Sequence, residues 1–585
     1  MVKKILVVVI SLLVIGGSVH RLIEFRQDEK RGLPYVRSWS ALGKVTGFIS
    51  SIKDNIRDAI LEKRYKDNKL EKIAIHFKDG SMIIGELISK TEDEYRIMYK
   101  DEETIVFAGL VERIGDPEEA LREKDTLSNK EISEHWPYEH SVVIRLKNTN
   151  ILDAKIINVT DDRLTLLYGG EEEARFEQEI ERDQLENIIF KPVDNEETRK
   201  VRRNLEELFS KMEFYTEGNF TIVTDSYATW VKECKGTLRR TYTDIYLEFF
   251  DVFKDREPMM QNFVVIFDDY SDFIEYAVSD GVPGWAVMGY FDPQQRVLYM
   301  YNILGDRFSE FMFEAWVGET GRTIDDIVED VQGMVDKRYH IFIEGMAKKI
   351  KDKFWEAYSY YRNMFRDSTM SVLRHEFAHE VFHNWGIQSV IVSKFKGETS
   401  DLVRRKKEFL ETKDPKKKAR LFKTLMTQSN QDVPIDMRAA NSWLAEGTAT
   451  YCQTSALGEQ DDMLLYTFQE MLRKGPAYPI EFLTNYKLGS FPGVYSGIML
   501  DMYAQSWAFV NFLMDNYKDE FVKYQNKLAE VKTEESEDVE WLFEILGKDS
   551  KTLQKEFLAY MDDYEEIEDP NIERFVNIYN IFQKY

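Results

Sequence analysis

Residues Ser371–Trp385 read Ser-Val-Leu-Arg-His-Glu-Phe-Ala-His-Glu-Val-Phe-His-Asn-Trp and contain the pattern H-E-x-x-H at His375–His379. The stretch has no Pro or Gly, and its apolar residues are spaced as in a largely buried helix. Because residues four apart share a helix face, His375 and His379 can offer ring nitrogens to one metal ion. Glu376 is rotated about 100° from His375, which suits a carboxylate that reaches a water on that metal.

The pattern is specific in a chain with so few histidines. The sequence has 8 His among 585 residues, so chance alone would give about 0.01 matches. A charged stripe on a solvated helix is the alternative interpretation. That alternative does not explain the neighbouring Phe377, Val381 and Phe382, because a solvated helix needs no such apolar residues. The sequence therefore predicts a metal site on this helix.

A third ligand is needed because a catalytic zinc ion takes three protein ligands and keeps one position open for water. The candidate is Glu446, which lies 67 residues after His379 in the stretch Asn441–Gln453. It follows Trp443-Leu444-Ala445 and precedes the small residues Gly447-Thr448-Ala449, which allow a second helix to come close. A helix-capping or salt-bridged Glu is the alternative interpretation.

These two stretches together resemble the metal-binding helices of the gluzincin superfamily of zinc metallopeptidases. The resemblance covers roughly residues 217–515 and includes a Gly-Tyr turn at Gly289-Tyr290. It implies that Zn²⁺ is bound by His375, His379 and Glu446.

The same resemblance implies roles for two further side chains. Glu376 would be the general base, and Tyr503, in the stretch Tyr503-Ala-Gln-Ser-Trp507, would stabilise the oxyanion. The chain departs from the thermolysin-type pattern at Thr450, where those members carry an Asp that orients a histidine ligand. Orientation of the histidines must then come from another residue.

A second zinc class, the metzincins, is excluded by the residues that follow His379. That class needs a Gly at position 382 and a His at position 385, where this chain has Phe382 and Trp385. We therefore interpret His383 as a packed histidine and leave it out of the ligand set.

The composition limits the classes of function. The net charge of −26 at pH 7 argues against a nucleic-acid partner, because such binding needs a basic surface. Cys234 and Cys452 are the two cysteines of the chain, which excludes a disulfide framework and a thiolate metal cluster. The sequence leaves open whether these two cysteines pair.

The beginning of the chain has the pattern of a targeting segment. Lys3-Lys4 precede the apolar run Ile5–Val19, which has the length of a signal-peptide core. We expect residues 1–21 to be a signal peptide or an N-terminal membrane anchor, and the protein to be extracytoplasmic. Residues 22–65 are predicted to form a helical linker, since apolar residues recur there at three- and four-residue steps.

An internal repeat follows the linker. Ile75–Leu87 aligns with Ile144–Ile156 at an offset of 69 residues, and the match continues to Tyr99 and Tyr168. Both copies alternate apolar and polar residues as half-buried strands do. We predict two small SH3-like or Sm-like β-barrels, at residues 66–116 and 137–192. Such barrels commonly bind peptides, RNA or one another, and the acidic balance disfavours RNA. We favour the interpretation that they only space or dock the enzyme domain, with docking of a protein partner as the alternative.

From residue 195 to 585 the pattern alternates between helices and strands and then becomes helical. It predicts strands at Phe220–Thr224 and Asn262–Phe267 and one long helix over Tyr227–Phe253. We predict an α+β fold in which a gluzincin-like peptidase domain follows the two barrels. The resemblance implies that Arg296–Tyr301 is the sheet edge strand over the His375 helix, and an ordinary hairpin is the alternative. The basic run Arg404–Lys407 is expected on a solvated face, with an acidic substrate or anionic lipid as the alternative contact.

The function that these observations predict is an exported zinc-dependent peptidase acting on a peptide or protein substrate. A catalytically silent binding or scaffold protein is the first alternative, and the intact Glu376 argues against it. A zinc hydrolase of a non-peptide amide is the second, and the sequence does not separate it from a peptidase.

Overall fold

The computed structural model has a mixed α+β architecture, as predicted. The residues that it describes are 71–77, 82–91, 94–99, 102–108, 111–115, 142–148, 151–168, 176–226, 228–280, 282, 288–293, 295–302, 329, 332, 337, 340–388, 399–412, 417, 420–421, 442–485, 497–530, 538–568 and 570. The predicted targeting segment at 1–21 and the linker at 22–65 lie outside these ranges. In the described part of the chain, no helix combines the length and the apolarity that crossing a membrane requires.

The chain divides into two compact units. The first unit contains the first sequence repeat and the beginning of a long helix, up to Trp355. The second unit contains the second repeat, the residues that follow it up to 308, and the chain from Glu356 onward. The two repeats therefore belong to different units.

The first repeat forms one five-stranded sheet in the order β4-β3-β2-β1-β5. Its strands are β1 (Glu71–Phe77), β2 (Met82–Lys90), β3 (Glu94–Tyr99), β4 (Glu102–Phe107) and β5 (Val111–Gly115).

The second repeat forms two three-stranded sheets, in the orders β10-β9-β8 and β11-β6-β7. Its strands are β6 (Val142–Leu146), β7 (Ile151–Asp153), β8 (Lys155–Val159), β9 (Arg163–Tyr168), β10 (Phe176–Glu181) and β11 (Leu185–Phe190). Because β7 and β8 are separated by Ala154 alone, they correspond to β2, and the strand order of the first repeat recurs.

The repeats also share their irregularities. The pairing of β2 with β3 shifts register between Leu87 and Ser89, and that of β8 with β9 shifts between Ile156 and Asn158, 69 residues further on. A second shift recurs between β1 and β5 in the first copy and between β6 and β11 in the second. Since a bulge is a local feature of one strand pair, its recurrence confirms that the sequence repeat is a structural repeat. That either copy closes into a barrel stays a prediction.

A fourth sheet belongs to the predicted peptidase region and has the order β12-β13-β14-β16-β15. Its strands are β12 (Glu213–Glu217), β13 (Phe220–Thr224), β14 (Asn262–Phe267), β15 (Gly289–Asp292) and β16 (Val297–Tyr301). The three central strands are parallel and almost completely buried, which explains their continuous apolar sequence. The two outer strands run antiparallel to their neighbours.

The edge strand differs from the one that the sequence predicted. Residues 297–301 form β16, which lies between β14 and β15 inside the sheet. The edge is β15, the preceding strand of the same hairpin. The prediction failed because the two strands of a hairpin have similar local sequence, and only the long-range pairing with β14 makes one of them internal.

The described helices belong to the second unit, except for the beginning of the long helix that carries the H-E-x-x-H pattern. They are α1 (Glu196–Leu208), α2 (Ala228–Glu248), α3 (Phe250–Phe253), α4 (Tyr270–Ser279), α5 (His340–Asn384), α6 (Thr399–Glu411), α7 (Ser442–Tyr451), α8 (Asp462–Lys474), α9 (Ile480–Asn485), α10 (Gly497–Asn516), α11 (Lys518–Glu530), α12 (Asp538–Leu546) and α13 (Ser550–Met561). Most predicted elements after residue 195 are confirmed, but the single helix predicted over 227–253 is interrupted at Phe249.

The second repeat packs directly on helix α2. The ring of Phe190 in β11 stacks on that of Tyr242, with centroids 4.3 Å apart. The Ile188 N–H donates to the Thr243 hydroxyl at 2.9 Å. Tyr242 in turn contacts Phe377 of α5 edge-on, with centroids 5.8 Å apart. The second repeat thus shares a core with the helix that carries the H-E-x-x-H pattern.

Candidate metal site

Helix α5 divides its H-E-x-x-H turn between a buried face and an accessible face. Leu373, Phe377 and Val381 are fully buried against the sheet and α2. His375 and His379 lie on the other side, with side chains 12% and 16% exposed. The apolar residues that argued for a buried helix therefore fix its rotation, and the two histidines point together away from the core.

Helix α7 brings Glu446 to the two histidines. The next residue, Gly447, lies so close to α10 that an added Cβ would come 2.7 Å from the Ser506 carbonyl oxygen and 2.6 Å from Val510. The small residues were predicted to let this helix approach the H-E-x-x-H helix; the close approach at Gly447 is instead to α10. Because residue 447 has no Cβ, α7 can lie this close to α10.

The three predicted ligands converge on one point. Nε2 of His375 and Nε2 of His379 each lie 3.4 Å from Oε2 of Glu446, and they lie 3.2 Å from each other. Ligand atoms about 2.1 Å from one metal ion, at tetrahedral angles, are about 3.4 Å apart. Oε2 of Glu446 is buried and has no hydrogen bond of normal geometry. The residues therefore fit a metal ion, although the donor set alone does not identify which one.

The charges of the metal-free cluster are strongly coupled. Burial alone would raise the pKa of the Glu446 carboxyl, but the rings of His379 and His375 outweigh burial and hold that pKa well below its usual range. Burial alone would lower the pKa of His379, but the Glu446 carboxylate outweighs it and raises that pKa. A negative carboxylate beside two imidazoles is the charge distribution that attracts a cation.

Glu376 does not belong to this group of three ligand atoms. Its Oε2 accepts a hydrogen bond of 2.8 Å from the backbone N–H of Phe291, in edge strand β15. The strand can come this close because Gly289, two residues earlier, has no Cβ; an added one would lie 3.3 Å from Val372 of α5. The edge strand therefore lies along the H-E-x-x-H helix and holds the Glu376 carboxylate.

Tyr503 lies beside the cluster on helix α10. Its ring centroid is 6.3 Å from that of His375, and the planes are tilted by 41°. The predicted oxyanion residue is thus brought next to a predicted ligand, and its role stays a prediction.

A residue that the sequence analysis did not identify contacts His375 from behind. Oε1 of Gln453 lies 3.2 Å from His375 Nδ1, and Nε2 of Gln453 donates to Asp461 at 2.7 Å. Thr450 does not take this place, because its hydroxyl donates to the Glu446 backbone carbonyl at 2.7 Å. Gln453 lies two residues beyond the end of α7, so helical spacing from Glu446 gave no signal that could have identified it.

His383 is excluded from the ligand group, as predicted. It is 7% exposed and packs edge-on against Phe291, with ring centroids 5.4 Å apart. Neither ring nitrogen has a hydrogen bond of normal geometry. Burial, with Arg296 nearby, lowers the pKa of His383 to about 4, and the Gln388 backbone opposes this shift only weakly.

The basic run on α6 is not wholly solvated, in contrast to the expectation. Lys406 is 2% exposed and pairs with Asp280, at the end of α4. Asp280 also accepts a hydrogen bond of 2.8 Å from Tyr290, which lies in β15. Burial lowers the pKa of Lys406 to about 7, while the adjoining carboxylate favours the charged form. The pair links α6 to the edge strand that contacts Glu376.

The two cysteines are free and buried, so they do not pair with each other. Burial raises the pKa of both thiols well above the usual range, which makes them unreactive.

No protein-family model matches this sequence, and no curated protein and no solved structure is significantly similar to it.

Proposed function

We propose that the chain is a zinc-dependent peptidase with a gluzincin-like catalytic region, exported through its N-terminal segment. The observation that carries the proposal is the convergence of His375, His379 and Glu446 at 3.2–3.4 Å, with Glu376 beside them on the same helix turn. A sheet with an antiparallel edge strand along that helix also supports it.

Zinc is the metal that we propose because two imidazoles and one carboxylate are a common ligand set of catalytic zinc. Zinc bound there would supply a Lewis acid that acidifies water and polarises a carbonyl group. His375, His379 and Glu446 would hold it.

Glu376 is the proposed general base. Its carboxylate takes a proton from the attacking water and returns it to the leaving amine. The Phe291 N–H fixes the carboxylate at 2.8 Å, so that the base needs little reorganisation during the reaction. The Tyr503 hydroxyl stabilises the charge that develops on the carbonyl oxygen. Strand β15 is at the sheet edge, where a peptide substrate can be held by strand addition.

The test compares two substitutions on the same helix. Glu376→Gln keeps an acceptor for Phe291 but cannot move a proton, and we expect cleavage to fall on the order of 10²–10⁴-fold. Glu380→Gln is the matched control. Glu380 is buried, accepts from the Phe263 N–H at 2.6 Å and has a pKa that burial raises well above the usual range. Gln resembles its protonated form, so activity should be retained.

The assay is a mixed peptide pool incubated with each purified protein and analysed by mass spectrometry, with zinc content measured in parallel. The proposal requires cleavage by wild type and Glu380→Gln, and its loss in Glu376→Gln and with a chelator. Equal cleavage by Glu376→Gln would point to a contaminating protease. Full zinc occupancy without cleavage of peptides or of simple amides would favour the scaffold alternative.

A further inference from the structure

Three side chains form a chain of hydrogen bonds behind the proposed metal site. His375 Nδ1 lies 3.2 Å from Gln453 Oε1, and Gln453 Nε2 donates to Asp461 Oδ2 at 2.7 Å. The outer end is fixed, since Asp461 is the N-cap of α8 and its other oxygen accepts from the Leu464 N–H at 3.0 Å. Gln453, the central residue of the three, is also held in place, because Arg374 donates to its backbone carbonyl at 3.3 Å.

The chemistry of these groups allows one direction only. An ionised carboxylate has no proton to donate, so Asp461 must accept, and the Gln453 amide must turn its NH₂ toward it. The amide oxygen then faces His375 and accepts, which requires a proton on Nδ1. A neutral imidazole with its proton on Nδ1 has its lone pair on Nε2. Nε2 is the atom that lies 3.4 Å from Glu446 Oε2.

We propose that Gln453 and Asp461 are positioning residues that set the tautomer of His375, so that its Nε2 lone pair is available to a metal. This inference rests on the proposed metal site. The charge that orients the imidazole lies on Asp461, one residue further away than in a direct carboxylate–histidine pair. The Gln453 amide donates to Asp461 and accepts from His375, so that the imidazole is oriented without a negative charge in contact with the ring.

The decisive variant reverses the direction of donation along the hydrogen bonds from His375 through Gln453 to Asp461. Asp461→Asn keeps a good N-cap for α8, because Asn ranks with Asp at that position. The Asn amide now offers a donor to Gln453, whose amide turns over and presents its NH₂ to His375. His375 Nδ1 must then accept, so that the proton moves to Nε2 and blocks the metal. We expect zinc affinity to fall about 10–100-fold.

A second substitution should restore the direction. Combining Asp461→Asn with Gln453→Glu places a carboxylate between two donors, the Asn amide and His375 Nδ1. The Nδ1–H form returns, and zinc affinity should recover to within about threefold of wild type. The single change Gln453→Glu faces two carboxylates toward each other and should weaken zinc binding. Asp462→Asn is the control, because that exposed carboxylate accepts only from Gln460 at 2.6 Å among the described contacts.

Two readouts are measured on the full chain. Zinc alone is titrated against a competing chelator, and the tautomer of His375 is observed by nitrogen chemical shifts in metal-free, ¹⁵N-histidine-labelled protein at pH 8. With 8 His in the chain, the His375 signals are identified by their loss in His375→Asn.

The inference is supported if Asp461→Asn moves the His375 proton to Nε2 and the double variant Asp461→Asn with Gln453→Glu has it on Nδ1 again. Asp462→Asn should change neither the tautomer nor the zinc affinity. The inference is overturned if the proton stays on Nδ1 in Asp461→Asn, or if the double variant binds zinc no better than Asp461→Asn. Failure of the proposed metal site gives another result, because wild type would then not bind zinc while the tautomer would still follow the substitutions. Failure of the peptidase activity alone would leave both readouts unchanged.

Discussion

Replacing His383 by Leu should remove a large part of the sensitivity of the fold to acid. Leu has nearly the volume of His and does not titrate. In the folded chain His383 stays neutral down to about pH 4, whereas a histidine in the unfolded chain takes up a proton near 6.5. Between these two values the unfolded state binds more protons than the folded state, so the free energy of unfolding falls as the pH falls.

The magnitude follows from the two pKa values. One pKa unit corresponds to about 1.4 kcal/mol, so this single group should cost the wild type about 2 kcal/mol between pH 7 and pH 5, and about 3 kcal/mol by pH 4. Above pH 6.5 the group contributes almost nothing, because the imidazole is then neutral in both states. Below pH 4 the cost is constant.

The measurement is urea unfolding of chelator-treated wild type and His383→Leu at pH 7 and pH 5, followed by tryptophan fluorescence. Other titrating groups are common to both proteins and cancel in the difference between their pH dependences. A difference in the free energy of unfolding that is the same at pH 7 and pH 5 would reflect a change in packing and not titration of His383. If both proteins lose the same stability between pH 7 and pH 5, the histidine is protonated in the folded state or hydrogen-bonded there, and the reasoning is refuted.

Three further substitutions or treatments have defined outcomes. Gly447→Ala should lower the free energy of unfolding by about 2 kcal/mol, because its Cβ would enter the α7–α10 contact. Gly236→Ala on α2, where an added Cβ would have nothing within 4 Å, should raise it by up to about 1 kcal/mol. The urea midpoints of the two variants should therefore shift in opposite directions. Lys406→Met leaves the Asp280 carboxylate buried without its cation and should lower the free energy of unfolding by about 3 kcal/mol. Adding Asp280→Asn should recover most of this loss, as thermal unfolding would show. Zinc at about 100 times its dissociation constant should stabilise the wild type by about 2.7 kcal/mol and leave Glu446→Ala unchanged in calorimetry.

Local sequence pattern predicted those parts of the fold that depend on local physics. The strands Phe220–Thr224 and Asn262–Phe267 were predicted with the bounds that they have, because a short continuous run of apolar residues is typical of a buried parallel strand. The helix around His375 was predicted from its apolar spacing, although the structure extends it over 45 residues. The ligand set was predicted from spacing on that helix and from resemblance for Glu446, and the structure brings all three together.

Long-range contacts that leave no local trace were not predicted. The bond to Glu376 comes from the backbone N–H of Phe291, a group that every residue but Pro has and that no motif distinguishes. Gln453 and Lys406 have the composition of surface residues, and their partners lie 78 and 126 residues away in the chain. Only the packing of α7 against α10 and of α6 against α1 and α4 brings these two side chains into the site region.

The two repeats show how the same fold acquires different neighbours by a few substitutions. After the third strand the second copy has five additional residues, so Ile114 of the first copy corresponds to Ile188 of the second. Ile114 is 38% exposed, while Ile188 is 2% exposed under helix α2. The next position but one is Asp116 in the first copy and Phe190 in the second, where the ring stacks on Tyr242. An acidic residue could not enter that aromatic contact without a large desolvation cost. The second copy therefore packs on α2 and shares a core with the helix that carries the H-E-x-x-H pattern.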